Sequence, residues 1–285
     1  MGNEFGLGRG LAGGHHGLLL VMVLAALAEG LWRRRYDFAA LWASLAIVIG
    51  QQILSPVSAL AMGPVYRWFA SLSPHAFPAS DWRTWAVGFI AVEFAYYWFH
   101  RFSHTVRWLW ATHSVHHTSH EMVLPAAARL GWTGPLSLGW LCFVPLVLLG
   151  LPVQVMGALL GANLLWQFWL HTEAIGRLGP LEWVLNTPSA HRAHHSRDEA
   201  FLDCNFGGVL IVFDRLFGTY RAEPAARGLN YGLHGVEQGN GVMAIAFGEW
   251  RRMFAAMARA PGFVAKARVA LGRPGADQFT TGKSI

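Results

Sequence analysis

Trp82-Arg-Thr-Trp-Ala-Val-Gly-Phe-Ile-Ala-Val-Glu-Phe-Ala-Tyr-Tyr-Trp-Phe-His100-Arg-Phe-Ser-His104 is an apolar run that ends in two histidines. Spacing of i and i+4 on a helix stacks both imidazoles on one face. The run is long enough, with its flanks, to cross a bilayer, so the pair is expected at a membrane boundary. The pattern recurs. His113-Ser-Val-His116-His117 and His191-Arg-Ala-His194-His195 each place three histidines at i, i+3 and i+4, and His171 closes the apolar run Val153–Leu170.

Outward from this stretch, the chain alternates apolar runs with polar connectors. Leu18–Trp32 is the first run and ends at Arg33, Arg34 and Arg35; Phe38–Met62 is the second. Pro64–Asp81 reads as a connector broken by Pro74 and Pro78. Pro135–Leu149 and Val153–Leu170 are shorter and read as a hairpin turning at Gly150-Leu151-Pro152, partly re-entrant if it does not span. The first run is expected to be retained, since no basic cluster precedes it and no small-residue cleavage site follows. With Arg33–Arg35 in the cytoplasm, every histidine motif and most arginines fall on that face, in accord with the positive-inside rule. Val209–Phe213 reads as β-like, Ala244–Ala258 as an amphipathic interfacial helix, and Gly272–Ile285 as a tail without structure.

Composition agrees with a membrane protein. Of 285 residues, 54% are hydrophobic and 13% charged, with 14 Trp. Soluble domains carry about 25% charged residues, and Trp favours membrane interfaces. The net charge is +6 and comes almost wholly from Arg, scattered beside apolar runs. Anionic lipid headgroups account for that pattern better than nucleic acid does. Cys142 and Cys204 are the only cysteines, which excludes a disulfide framework and a Cys-based metal site.

The nine histidines are the candidate ligands: His100, His104, His113, His116, His117, His171, His191, His194 and His195. Neutral imidazole is the commonest protein metal ligand, and nine exceed what one ion takes, so two ions are implied. All-nitrogen ligation suits iron, copper or zinc; oxygen chemistry needs a metal that changes oxidation state, so iron is the expected one. Ligand imidazoles need acceptors for their second N–H. Glu93, a carboxylate inside an apolar run, shares a face with His100. Gln167 and Asn163 share a face with His171. Asp203 and Asn205 are further candidates. His120 reads as a loop histidine, and His15, His16, His75 and His234 as solvent or headgroup histidines.

The strings HRFSH, HSVHH and HRAHH, in this order around an apolar hairpin, resemble the fatty acid hydroxylase/sterol desaturase superfamily. The resemblance covers about Val87–Leu233. Trp183-Val-Leu-Asn-Thr-Pro-Ser-Ala, Asp203-Cys-Asn-Phe-Gly-Gly and Phe213-Asp-Arg-Leu-Phe-Gly-Thr-Tyr220 look closest to the alkylglycerol monooxygenase branch and its bacterial relatives. Two positions depart from that branch: Ala190 stands where a histidine is common, and Thr105 where a glutamate is. These weaken transfer of an ether-lipid substrate and a pterin cofactor. The resemblance implies an all-α, integral-membrane helical bundle of about four to five membrane segments with a cytosolic histidine-rich helical cap. It also implies two iron ions (Fe2+/Fe3+), O2 as co-substrate and an external electron donor, ferredoxin-like or a b-type cytochrome. Such a donor is expected to dock near Arg192–Arg221.

The expectation is therefore a single domain over 1–285: N-terminal spans in 18–62, a catalytic histidine core in 82–220, and the C-terminal helix and tail in 240–285. The expected reaction is O2-dependent hydroxylation of a lipid or hydrocarbon chain in the membrane, in a bacterial inner membrane with the metal site facing the cytoplasm. Desaturation and carotenoid or sterol ring hydroxylation share the same metal core. A non-enzymatic metal-binding or transport protein is the alternative of another class, which the few polar residues along the runs disfavour.

Overall fold

The computed structural model describes residues 21–33, 36–225 and 228–275. Leu18–Leu20, His15, His16, Arg34, Arg35 and the part of the expected unstructured tail beyond 275 lie outside the described residues. The described residues are helical, with no strand among them and two isolated β-bridges.

Residues 21–33 are helical (α1). Asp37 caps the next helix, α2 (Phe38–Ser71), accepting from the Ala39 and Ala40 amides at 2.8 and 3.3 Å. α2 was expected to stop at Met62. It continues nine residues further, through Pro64, and also contains Pro56. Prolines are tolerated in membrane helices, where the apolar surroundings leave the chain no better alternative to helical hydrogen bonds. At about 1.5 Å per residue, its 34 residues exceed a bilayer core. α2 is the one helix among the described residues long and apolar enough to cross a membrane, and only 6% of its most apolar stretch is buried. Leu60 and Trp42 stand 78% and 67% exposed, surface that lipid, not water, accommodates.

α3 (Trp82–Thr105) begins at Asp81, whose carboxylate accepts from the Arg83 amide at 2.9 Å. Its outer face exposes Trp82, Val87 and Ile90. Its inner face buries Val92, Ala95 and Tyr96 against Phe143, Val147, Leu151 and Val155. The run 135–149 is not one segment. Leu138 adopts a left-handed backbone (φ 62°) between two 3-10 turns, and only Val144–Leu148 (α5) is α-helical. α6 (Val153–Phe168) has 16 residues, about 24 Å, short of a bilayer core.

The connector after α2 and the turn after α5 lie together: Phe77 donates its amide to the Gly150 carbonyl at 3.0 Å, and Ser73 Oγ to the Leu148 carbonyl at 2.9 Å. α3 and α6 both run from that end to the histidines. There α4 (Arg107–His113), α7 (Pro188–His195) and α8 (Val212–Leu216) form a cap. The expected β-like run 209–213 is instead a loop entering α8, with a single bridge from Leu210 to Leu185. α9 (Val242–Arg259) and α10 (Gly262–Leu271) close the cap. α9 is amphipathic as expected, but protein covers its apolar face: Ile245 and Ala246 pack with Ala43, Ile47 and Val115, and Trp250 and Met253 with Ala111 and Ala270.

Candidate metal centre

Nine histidines converge, with their side chains buried or nearly so, into two groups. His100, His104, His113, His117 and His194 form one; His116, His171, His191 and His195 form the other; within each group the ligand-capable atoms lie within 4.8 Å of one another. α3 brings two residues, the α4 end and following 3-10 turn three, the end of α6 one, and α7 three. The groups are contiguous: the His117 and His195 rings stack with centroids 4.3 Å apart.

Ring orientation is set by backbone carbonyls. Nδ1–H of His100 donates to the Phe206 carbonyl, that of His171 to Gln167, and that of His194 to Cys204, each at 2.8 Å. A carbonyl only accepts, so the proton sits on Nδ1 and the Nε2 lone pair of each ring faces the cluster. The Nε2 atoms of His100 and His113 approach to 3.0 Å. Those of His116 and His171, His171 and His191, and His191 and His195 approach to 3.1 Å. Metal–imidazole bonds are about 2.1 Å, so adjacent octahedral ligands stand roughly 3.0 Å apart, the spacing seen. His104, His117 and His194 also leave a buried Nε2 with no protein partner, a costly arrangement that a metal ion would relieve.

Burial keeps these rings neutral. It holds His113, His116, His117, His191 and His195 well below the ordinary imidazole range, helped by repulsion between neighbouring rings. His171 and His194 fall to about 4, mainly through burial, against which their carbonyl bonds act. Neutral imidazole is the ligating form.

Glu93 does not meet an imidazole. Its carboxylate accepts from the Val209 and Leu210 amides at 2.8 and 2.9 Å and from Asn163 Nδ2 at 2.6 Å. Asn163 Oδ1 in turn accepts from Gln167 Nε2 at 2.6 Å, and Gln167 Oε1 from the Tyr96 hydroxyl at 3.1 Å. Glu93 therefore reaches the histidines indirectly, through the 206–210 loop that carries the Phe206 carbonyl and through the helix that carries the Gln167 carbonyl. Asp203 pairs with Arg273 at 2.7 Å rather than with a ring. Asn205 clips the Ala190 carbonyl (2.8 Å) and the Arg221 backbone (2.7 and 2.8 Å). Both residues have positive φ, and the Cys204 carbonyl between them faces His194. His120 Nε2 donates to the Gln238 carbonyl at 2.8 Å, outside both groups.

Two residues shape the centre in roles that their sequence motifs did not indicate. Asp214 accepts from the Phe206 and Gly207 amides, each at 2.7 Å, and from Thr219 Oγ1 at 2.6 Å; burial raises its carboxyl to about 6. Arg192 is buried in α7. It holds Glu223 through both carboxylate oxygens at 2.6 and 2.7 Å, and the Thr172 and Ile175 carbonyls at 2.8 and 2.7 Å. Arg192 is thereby removed from the expected donor-docking surface, and Arg215 is engaged between the Trp183 and Tyr220 rings.

A cavity of about 510 Å³ opens onto His104, His117 and His194. Its walls carry Leu202, Leu233 and Val236 beside Arg107, Glu249 and Arg252. Glu249 accepts from Arg107 and Arg252, each at 2.9 Å.

Residues 85–219, which hold all nine histidines, match the fatty acid hydroxylase family. Over that stretch the chain is similar to the fatty acid hydroxylase/sterol desaturase superfamily. It is 41% identical over 198 residues to human alkylglycerol monooxygenase, covering 69% of this chain and 43% of that protein. It is 47% identical over 154 residues to the Danio rerio alkylglycerol monooxygenase, covering 54% and 33%. The ornithine lipid hydroxylase OlsE of Rhizobium tropici is 28% identical over 191 residues, covering 67% and 57%. The chain thus spans between a third and three fifths of these relatives' lengths. No solved structure matches it.

Proposed function

We propose that this chain is an O2-dependent hydroxylase of a membrane lipid, with two iron ions held by the two histidine groups. The juxtaposition of five and four converging histidines carries the reading, since one ion takes at most about six ligands. The relatives named as lipid hydroxylases and monooxygenases support it. Bound there, iron would supply the one-electron and O2 chemistry that side chains lack. One oxygen atom enters a C–H bond of the lipid. The other leaves as water, with two electrons and two protons from outside the chain.

The chain's own residues bind, orient and shield. His100, His171 and His194 present Nε2 because carbonyls hold their Nδ1 protons. The cavity beside His104, His117 and His194 admits the substrate, with Leu202, Leu233 and Val236 against its apolar part and Arg252 and Arg107 near its polar end. Burial of the histidines excludes water from the reacting position. Electrons come from a ferredoxin-like or b-type cytochrome partner, which meets the cap at its exposed cations, Arg221 among them, through charge pairing. The catalytic core is the histidine region 82–220, in an inner membrane with the cap facing the cytoplasm.

The test compares lipid extracts of cells with and without the chain, under air and without oxygen. A lipid gaining one oxygen atom only with the chain and O2 supports hydroxylation. Loss of two hydrogens would convert the reading to desaturation. No O2-dependent change, from protein carrying metal, would refute an oxygenase.

A further inference from the structure

We propose that Glu29, on the first helix and outside the stretch that matches the family, is a positioning residue of the second histidine group. It rests on the two-metal reading above. Glu29 is only 6% exposed, on a helix that otherwise reads as a membrane anchor. A buried carboxylate on such a helix is costly unless its oxygens are used, and here three donors use them. The Leu124 amide donates at 2.7 Å, the Tyr36 hydroxyl at 3.2 Å, and the hydroxyl of Thr172 closes on the other oxygen. Thr172 follows His171 directly.

The arrangement clamps the segment that carries His171 from two sides. On one side α1 holds it twice, through Glu29 to Thr172 and through Arg33 to Glu173 at 2.7 Å. On the other, Arg192 of α7 holds the Thr172 and Ile175 carbonyls. His171 stands at the centre of its group, its Nε2 3.1 Å from those of both His116 and His191. Displacing the segment would therefore open two ligand contacts at once. The same carboxylate fixes Leu124, which follows the His116–His117 turn, so one residue of α1 braces the chain behind ligands from two elements. The first helix is in this sense part of the metal centre and not only an anchor.

The experiment uses the full chain in detergent with three substitutions: Glu29→Gln, Thr172→Val and Thr172→Ser. Hydrogen exchange over 171–175 is followed in metal-stripped protein, with 100–106 as the internal reference, and metal release to a chelator is followed in loaded protein. Glu29→Gln and Thr172→Val are expected to speed exchange over 171–175 by about tenfold or more while leaving 100–106 unchanged. They should release one of two ions about 10- to 100-fold more readily. Thr172→Ser, which keeps the hydroxyl, should behave as wild type. Unchanged exchange in Glu29→Gln and Thr172→Val would overturn the proposal. So would a change in Glu29→Gln without one in Thr172→Val, because α1 would then act by packing alone. Wild-type protein that holds a single ion would count against the two-metal reading instead, and the exchange result would still decide the role of Glu29.

Discussion

At the scale of the residue, the direction of each hydrogen bond carries the argument. Glu93 can only accept, so Asn163 must turn Nδ2 toward it and offer Oδ1 to Gln167; Gln167 then offers Oε1 to Tyr96. One carboxylate thereby orients two amides. Glu93→Gln puts an N–H2 where an acceptor stood and forces the chain to reverse or break. Metal retention should weaken by about 10- to 100-fold, with Glu93→Asp milder because the acceptor survives. A chelator competition in which Glu93→Gln matches wild type would remove Glu93 from the centre. The histidines make a second prediction. The unfolded chain protonates His171 and His194 near 6.5, whereas the folded, metal-stripped chain does so at about 4. Between those values the unfolded state binds more protons, so stability is intact above about 6.5 and falls as pH is lowered toward 4. Thermal unfolding of stripped protein should show Tm dropping from pH 7 to pH 5; a flat profile would contradict neutral buried rings. The nine histidines were legible in the sequence because helical spacing gathers them. Their acceptors were not, because the backbone carbonyls of Phe206, Gln167 and Cys204 have no residue signature.

At the scale of the element, the 203–210 loop is the piece on which the first histidine group leans. Asp214 of α8 holds its Phe206 and Gly207 amides, and Glu93 of α3 holds its Val209 and Leu210 amides. Between them Gly208 lies against Asn163, and a Cβ built at Gly208 would stand 1.9 Å from Asn163 Nδ2 and 2.7 Å from its Cγ. No relaxation of one side chain accommodates that, since Asn163 is itself tied to Glu93 and Gln167. Gly208→Ala should therefore lower metal retention as much as Glu93→Gln does, although it removes no polar atom. Binding equal to wild type in purified Gly208→Ala would show that the loop has room to move. Asp214→Asn should act on the same loop by weakening its hold on the Phe206 carbonyl. The Asp203-Cys-Asn-Phe-Gly-Gly string was read in the sequence for its side chains, whereas the fold uses its backbone. α9 illustrates the converse: its periodicity gave the helix correctly, but periodicity alone does not distinguish a face covered by lipid from one covered by α2, α4 and α10.

At the scale of the whole molecule, the structure separates two ends. The 72–81 connector and the 149–152 turn meet at one, through Phe77 to Gly150 and Ser73 to Leu148. The histidine groups, the start of α2 and the end of α1 meet at the other, through Arg129 to the Ala40 carbonyl and Glu29 to Thr172. α3, 24 residues long and so about 36 Å, runs between them. Arg67 and Arg83 lie toward the first end, while Arg101, Arg177, Arg197, Arg221, Arg251 and Arg252 belong to the cap; the positive-inside rule then predicts a cytoplasmic cap. Single cysteines at Ser80 and Ala200, both exposed, test this in a background with Cys142→Ala; Cys204 is buried. A membrane-impermeant thiol reagent added to intact cells should label Ser80→Cys, and should label Ala200→Cys only after the membrane is opened. Labelling of both from the same side would mean that α2 and α3 do not cross, and the apolar faces exposed on them would then need a protein cover in place of lipid. The reverse pattern would keep the bundle and invert it, placing the histidine cap and its electron donor on the outer face.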